Sequence, residues 1–121
     1  MKTQLTFTFD ANAAQAPLFE FTAIKGFWLL GASYCPQTYT GAPTSSNIDV
    51  NDDGTAIAAA VCSVATAGTP ATYKTTGLGG SVAIPAHVDA DSIVAIDLNF
   101  VAGTTPTATD GCIVLTVDVD E

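Results

Sequence analysis

Six consecutive residues, Asp49-Val50-Asn51-Asp52-Asp53-Gly54, carry the oxygen-rich spacing of a calcium loop, with Asp49, Asn51 and Asp53 at its first, third and fifth positions and Gly54 at its sixth. Calcium takes about six to eight oxygens, and in an EF-hand loop a bidentate glutamate at the twelfth position supplies two of them. Here the twelfth position is Ala60, and the preceding "GAPTSSNI" holds a proline and small polar residues where a helix would have to run. The same letters read more simply as a hairpin. Asp53-Gly54 is a strong two-residue turn signal, with Ile48 and Val50 leading in and Ile57 leading out. The sequence therefore favours a turn and predicts neither a metal centre nor a cofactor, with Asp49, Asn51 and Asp53 as the one candidate set for weak calcium binding.

Other reactive side chains are scattered. His87, the single histidine, stands in "PAHVDAD" beside Asp89 and Asp91. A hydrolase would pair it with a serine nucleophile and an oxyanion site, but no GxSxG is present and Ser81 and Ser92 are merely near in sequence. His87 thus reads as a solvated residue at an inter-strand corner. Glu20 in "LFEF" lacks the second carboxylate that a glycosidase needs, and it falls on the outward face of a strand with Leu18 and Thr22, opposite Phe19, Phe21 and Ala23. The glycine-rich "TTGLGGS" lacks the lysine of a phosphate loop and precedes a strand, so it reads as a turn. Tyr34, Tyr39 and Tyr73 could form a ring-stacking sugar site, the last two from loops, whereas Trp28 in "GFWLLGA" reads as core or sheet interface. No catalytic residue is assigned.

Composition narrows the classes further. The 121 residues suit one domain, and only 12% of them are charged against a globular norm of about 25%. Ala and Thr supply 38 residues, and threonine fits a pleated strand while keeping its outer face wettable. Twelve acidic residues against Lys2, Lys25 and Lys74, with no arginine, give a net charge of −9. That field repels phosphate and leaves nothing to clamp it, which disfavours nucleic acid as a partner. The longest apolar windows fall far short of a membrane span. Cys35, Cys62 and Cys112 show neither a CxxC pair nor a zinc spacing, and Cys62 and Cys112, within apolar runs, read as small buried hydrophobes. The opening "MKTQLTFTFDANAAQ" alternates polar and apolar residues, which reads as a strand and not a signal peptide, and reduced cysteines fit synthesis in a cytoplasm.

These residues are carried by strands. Period two dominates, cleanest in Leu5, Phe7, Phe9 against Thr6, Thr8, and in Val117, Val119 against Thr116, Asp118. It predicts about eight strands, near 4–9, 18–24, 27–33, 46–50, 56–64, 80–84, 92–101 and 112–120. An all-β fold follows: an antiparallel two-sheet sandwich of jelly-roll type. Residues 1–15 form an N-terminal strand and an arm suited to tethering or exchange, through "DANAAQAP", and residues 16–121 form the sandwich domain.

The order of these pieces resembles small jelly-roll virion proteins of tailed bacteriophages, the capsid decoration or head-associated proteins. The likeness runs from about Ala16 to Glu121 and rests on Gly26-Phe27, on the turn from Asn51 to Gly54, and on the Ala90-Asp91 corner before Ile93. It implies a non-enzymatic decoration or cement subunit located in the virion. Its partners would be further copies of itself, in a homo-oligomer such as a trimer, and the major capsid protein, with no cofactor, nucleic acid or membrane involved. Interface candidates are Leu5, Phe7 and Phe9 on the first strand, with Tyr39 and Tyr73. The alternative is a β-sandwich that binds carbohydrate or a receptor at the head of a phage fibre, using Tyr34, Tyr39 and Tyr73.

Overall fold

Alternation decides which side chains each strand turns inward. In β1 (Lys2–Ala11), Leu5, Phe7 and Phe9 sit half-buried against the core while Gln4, Thr6 and Thr8 are exposed. The computed structural model describes residues 1–74, 81–82 and 85–121. Its further strands are β2 (Gln15–Thr22), β3 (Phe27–Cys35), β4 (Thr38–Thr40), β5 (Ser45–Asp52), β6 (Thr55–Val64), β7 (Ala71–Lys74), β8 (Ser81–Val82), β9 (Ala86–Val88), β10 (Ile93–Val101) and β11 (Thr107–Val119). One sheet runs β1-β11-β3-β7, with β4 alongside β11 and β9 alongside β3; the other runs β2-β10-β5-β6-β8. Every pairing is antiparallel.

Setting β1, β11, β3 and the β7/β9 pair against β2, β10, β5 and β6 gives a jelly roll, the fold expected from the strand pattern. Leu29, Tyr34, Ile48, Val50, Ile96, Leu98, Ile113 and Leu115 fill the space between the sheets. Eleven strands among the described residues replace the expected eight because β4, β7 and β9, of three, four and three residues, are too short to show a period. Tyr39 and Tyr73 consequently lie on strands, not loops, and His87 lies on β9, paired with Trp28 of β3, not at a solvated corner. The "TTGLGG" stretch lies outside the described residues, as does most of the strand expected near 80–84.

The "DVNDDG" segment is a hairpin. Asp52 pairs with Thr55, and the two residues between them, Asp53 and Gly54, have φ of 47° and 84°. Positive φ at both central positions is the type I′ geometry that asparagine or aspartate followed by glycine favours. β6 then gains residues relative to β5 at successive bulges, with Ala60 and Cys62 at φ of 52° and 57°.

Candidate functional site

The feature most open to a partner is the flank where β1 and β2 lie as edge strands of the two sheets. Their inward rings meet across the sandwich. Phe7 lies 5.0 Å from Phe19 and 6.0 Å from Phe21 between ring centroids, Phe9 lies 6.1 Å from Phe19, and Phe9 stacks on buried Tyr34 at 6.1 Å. All four phenylalanines remain half-buried because, among the described residues, no further strand covers the flank. Phe9 also stands opposite Gly111, where an added Cβ would come within 2.4 Å of the ring. The glycine therefore makes room for the ring to lie across β11.

Hydrogen-bond parity shows what the edge of β1 offers. The Val119 amide donates to the Met1 carbonyl, and the register holds from Lys2↔Asp118 to Phe9↔Gly111. Bonded pairs alternate along an antiparallel ladder, so odd residues of β1 spend their backbone groups on β11. The N–H and C=O groups of Gln4, Thr6 and Thr8 therefore point away from the sheet. The same reasoning on β2, from the Ala23 amide donating to the Ser92 carbonyl, turns the groups of Leu18, Glu20 and Thr22 outward. The two edges are guarded differently. β2 carries Pro17 and the exposed carboxylate of Glu20, both of which discourage strand addition. β1 has its charges only at Lys2 and Asp10, leaving Thr3 to Phe9 without charge or proline.

Of the expected interface residues, Leu5, Phe7 and Phe9 come together on this flank, facing the core, whereas Tyr39 lies elsewhere and the side chain of Tyr73 lies outside the described residues. Tyr39 is half-buried, and its hydroxyl donates to the Val64 carbonyl at 2.7 Å and contacts Ser46 Oγ at 2.6 Å. Tyr34 is fully buried with its hydroxyl 2.7 Å from Ser46 Oγ. Burial drives its phenol well above the usual tyrosine range. These two rings tie the sheets together and do not form an exposed sugar platform. Trp28, expected in the core or at a sheet interface, is 44% exposed on the outer face of β3: Phe27 and Leu29 turn inward, and a bulge at Leu30 shifts the alternation before Ala32 and Tyr34 face inward in their turn.

The calcium-loop residues are likewise spoken for. Asp49 Oδ1 accepts from the amide of Ala60, the bulged residue, at 2.6 Å. Asp53 Oδ1 accepts from the Ile93 amide at 2.8 Å, and Asn51 donates to Asp97 Oδ2 at 2.9 Å. Asp49 faces Asp97 across the ladder, and Asn99 donates to Asp49 Oδ2 at 3.1 Å, so amide donors flank the opposed carboxylates. Asp52 lies on the other parity of β5, with Oδ1 buried and without a hydrogen-bond partner among the described residues. Among the described residues no group of histidine, cysteine and carboxylate side chains is arranged to hold a metal ion. Glu20 is exposed on β2 as expected.

Two groupings escaped the sequence reading. His87 Nε2 lies 2.7 Å from Asp120 Oδ2 and Nδ1 lies 3.1 Å from Asp89 Oδ1, with the Trp28 ring edge-on at 5.0 Å. The bond to Asp120, opposed in part by burial and aided by its charge and by Asp89, raises the imidazole pKa. Gly26 permits this approach, since a Cβ there would stand 2.5 Å from Asp120 Oδ2. Cys112 is half-exposed, not buried like Cys62, and lies directly opposite half-exposed Cys35.

Among the described residues no helix is long and apolar enough to cross a membrane. No family model and no curated protein matches the chain. Two solved structures of infectious bursal disease virus are similar to it. That of the Gx strain is 16% identical with a TM-score of 0.37, over 95% of this chain and 32% of the viral one. That of the T13 viral particle is 16% identical with a TM-score of 0.34, over 95% of this chain and 31% of the other. This chain thus spans about a third of the length of the viral chains it aligns with.

Proposed function

We propose that the chain is a non-enzymatic structural subunit of a virion, a decoration or cement protein that binds a capsid surface, through the major capsid protein or through neighbouring subunits. The observation that carries this reading is the open flank: an edge strand whose middle, from Thr3 to Phe9, has neither charge nor proline, with four half-buried phenylalanines on the flank. Soluble proteins usually blunt such an edge with charge, proline or a covering loop, and a bare one invites pairing with another chain. The charge-poor surface agrees, because few ionic groups would have to be stripped of water against a neighbour. The likeness in sequence order to phage decoration proteins supplies the virion context. The alternative, a sugar- or receptor-binding head using Tyr34, Tyr39 and Tyr73, is less favoured because Tyr34 is buried and the half-buried Tyr39 turns its hydroxyl to Ser46 and Val64.

The test is whether the protein travels with particles. Virions purified from the system that encodes the chain should contain it at a fixed ratio to the major capsid protein, as read by quantitative mass spectrometry. Its presence only in the soluble lysate would refute the reading.

A further inference from the structure

The partner that β1 fits is a second copy of itself. We infer that two chains pair antiparallel through their β1 edges about a two-fold axis at Thr6, joining two six-stranded sheets into one. This rests on reading the β1–β2 flank as an assembly surface, and it names the occupant.

Parity and charge fix the register. The outward backbone groups belong to the even residues, so antiparallel self-pairing must set even residues against even ones. Centring on Thr6 sets Gln4 against Thr8 of the second copy, and Lys2 against its Asp10. The two charges of the strand thereby neutralise each other at both ends of the ladder. An offset of half a step would set even residues against odd ones, whose groups are spent on β11, whereas moving the centre by one residue, to Leu5 or Phe7, keeps even against even but sets Lys2 against Thr8 or Asn12 of the second copy in place of Asp10. A shift by two, to Gln4 or Thr8, leaves Lys2 and Asp10 without an opposite charge. Asp10 has the capacity for this contact: its Oδ1 accepts from the Asp110 amide at 2.8 Å, leaving Oδ2 and an exposed side chain. The irregularity near Asp10 falls on β11, where Asp110 has φ of 49°, so the outer edge of β1 runs straight. On the inner face the same register sets Leu5 against Phe7 of the second copy, which covers the half-buried residues of the flank. A two-fold contact of this kind is self-complementary and closes at two subunits, and Pro17 and Glu20 keep β2 from competing for the same role.

The experiment is analytical ultracentrifugation of the full chain over a concentration series, with circular dichroism confirming the fold of each variant. Wild type should show a monomer–dimer equilibrium. Thr6→Pro removes an outward N–H that β11 does not use, which an edge strand tolerates, and should abolish the dimer. Lys2→Asp should weaken it about tenfold by setting carboxylate against carboxylate at both ends, and the double exchange Lys2→Asp with Asp10→Lys should restore it. Should Thr6→Pro disturb the fold, the charge exchange alone decides. A wild-type monomer at every concentration, a dimer that survives Thr6→Pro, or a double exchange no better than the single reversal would each overturn the pairing. The outcomes separate from those of the virion reading. A monomer still found in particles, losing that association with Thr6→Pro, would assign the edge to another protein's strand; a β1 dimer absent from particles would sink the virion role alone.

Discussion

Replacing Ser46 with alanine should destabilise the fold more than replacing Tyr34 with phenylalanine, although both remove one hydroxyl from one network. The Val64 carbonyl can only accept, so the Tyr39 hydroxyl must donate to it, and Ser46 must then donate to Tyr39. That leaves Ser46 Oγ to accept from Tyr34, giving a directed chain from Tyr34 through Ser46 and Tyr39 to Val64. In Ser46→Ala the Tyr34 hydroxyl, on a residue 0% exposed, loses its acceptor. A stranded buried donor costs about 1–3 kcal/mol. In Tyr34→Phe the serine still donates to Tyr39 and only an acceptor position falls idle, nearer ~1 kcal/mol. The double variant removes both partners and should be no less stable than Ser46→Ala. Urea denaturation followed by far-ultraviolet circular dichroism reads all three. Equal single costs that add within about 0.5 kcal/mol, the behaviour of independent sites, would refute the directed chain. The same burial has an alkaline consequence. Because the folded-state pKa of Tyr34 is raised above its ordinary value of 10.0, the stability this group contributes is complete below that pH and is lost as pH climbs past it. Tyr34→Phe should therefore resist alkaline unfolding better than wild type.

Three further outcomes follow from other contacts. His87, raised above its ordinary value of 6.5 chiefly by Asp120, should stabilise the fold below that pH and lose the contribution as pH rises through the folded value; NMR titration should show a raised midpoint that falls in Asp120→Asn, and an unchanged midpoint would count against the pairing. Gly111→Ala should drive the Phe9 ring off β11 and cost about 1–3 kcal/mol as an overpacked site, whereas Gly111→Ala in a Phe9→Ala background should cost far less; an equal penalty in both would show that the ring is not the obstacle. Calcium at ~1 mM should leave the melting temperature unchanged, because Asp49 and Asp53 are bonded to separate amides; a rise in melting temperature that Asp49→Asn removes would restore the calcium reading.

What was legible in the chain and what was not divide along a physical line. Side-chain alternation is local, so the inward Phe7 and Phe9, the outward Glu20 and the Asp53-Gly54 turn could all be read from neighbours in sequence. Trp28 could not, because the bulge beside Leu30 arises from how β3 registers against Thr116 and Val117 of β11, more than eighty positions away. The His87 grouping was hidden for the same reason: Asp120 reaches it across Gly26 from the far end of the chain. The candidate surface shows the division most sharply. The residues of β1 announce a strand, but whether it is an edge depends on β11 taking one side and nothing described taking the other, and which backbone groups remain free depends on the parity of that one pairing. Lys2 and Asp10 look in the sequence like two unrelated terminal charges. Only once the outward groups are known to be the even ones do their positions, equidistant from Thr6, become complementary to themselves.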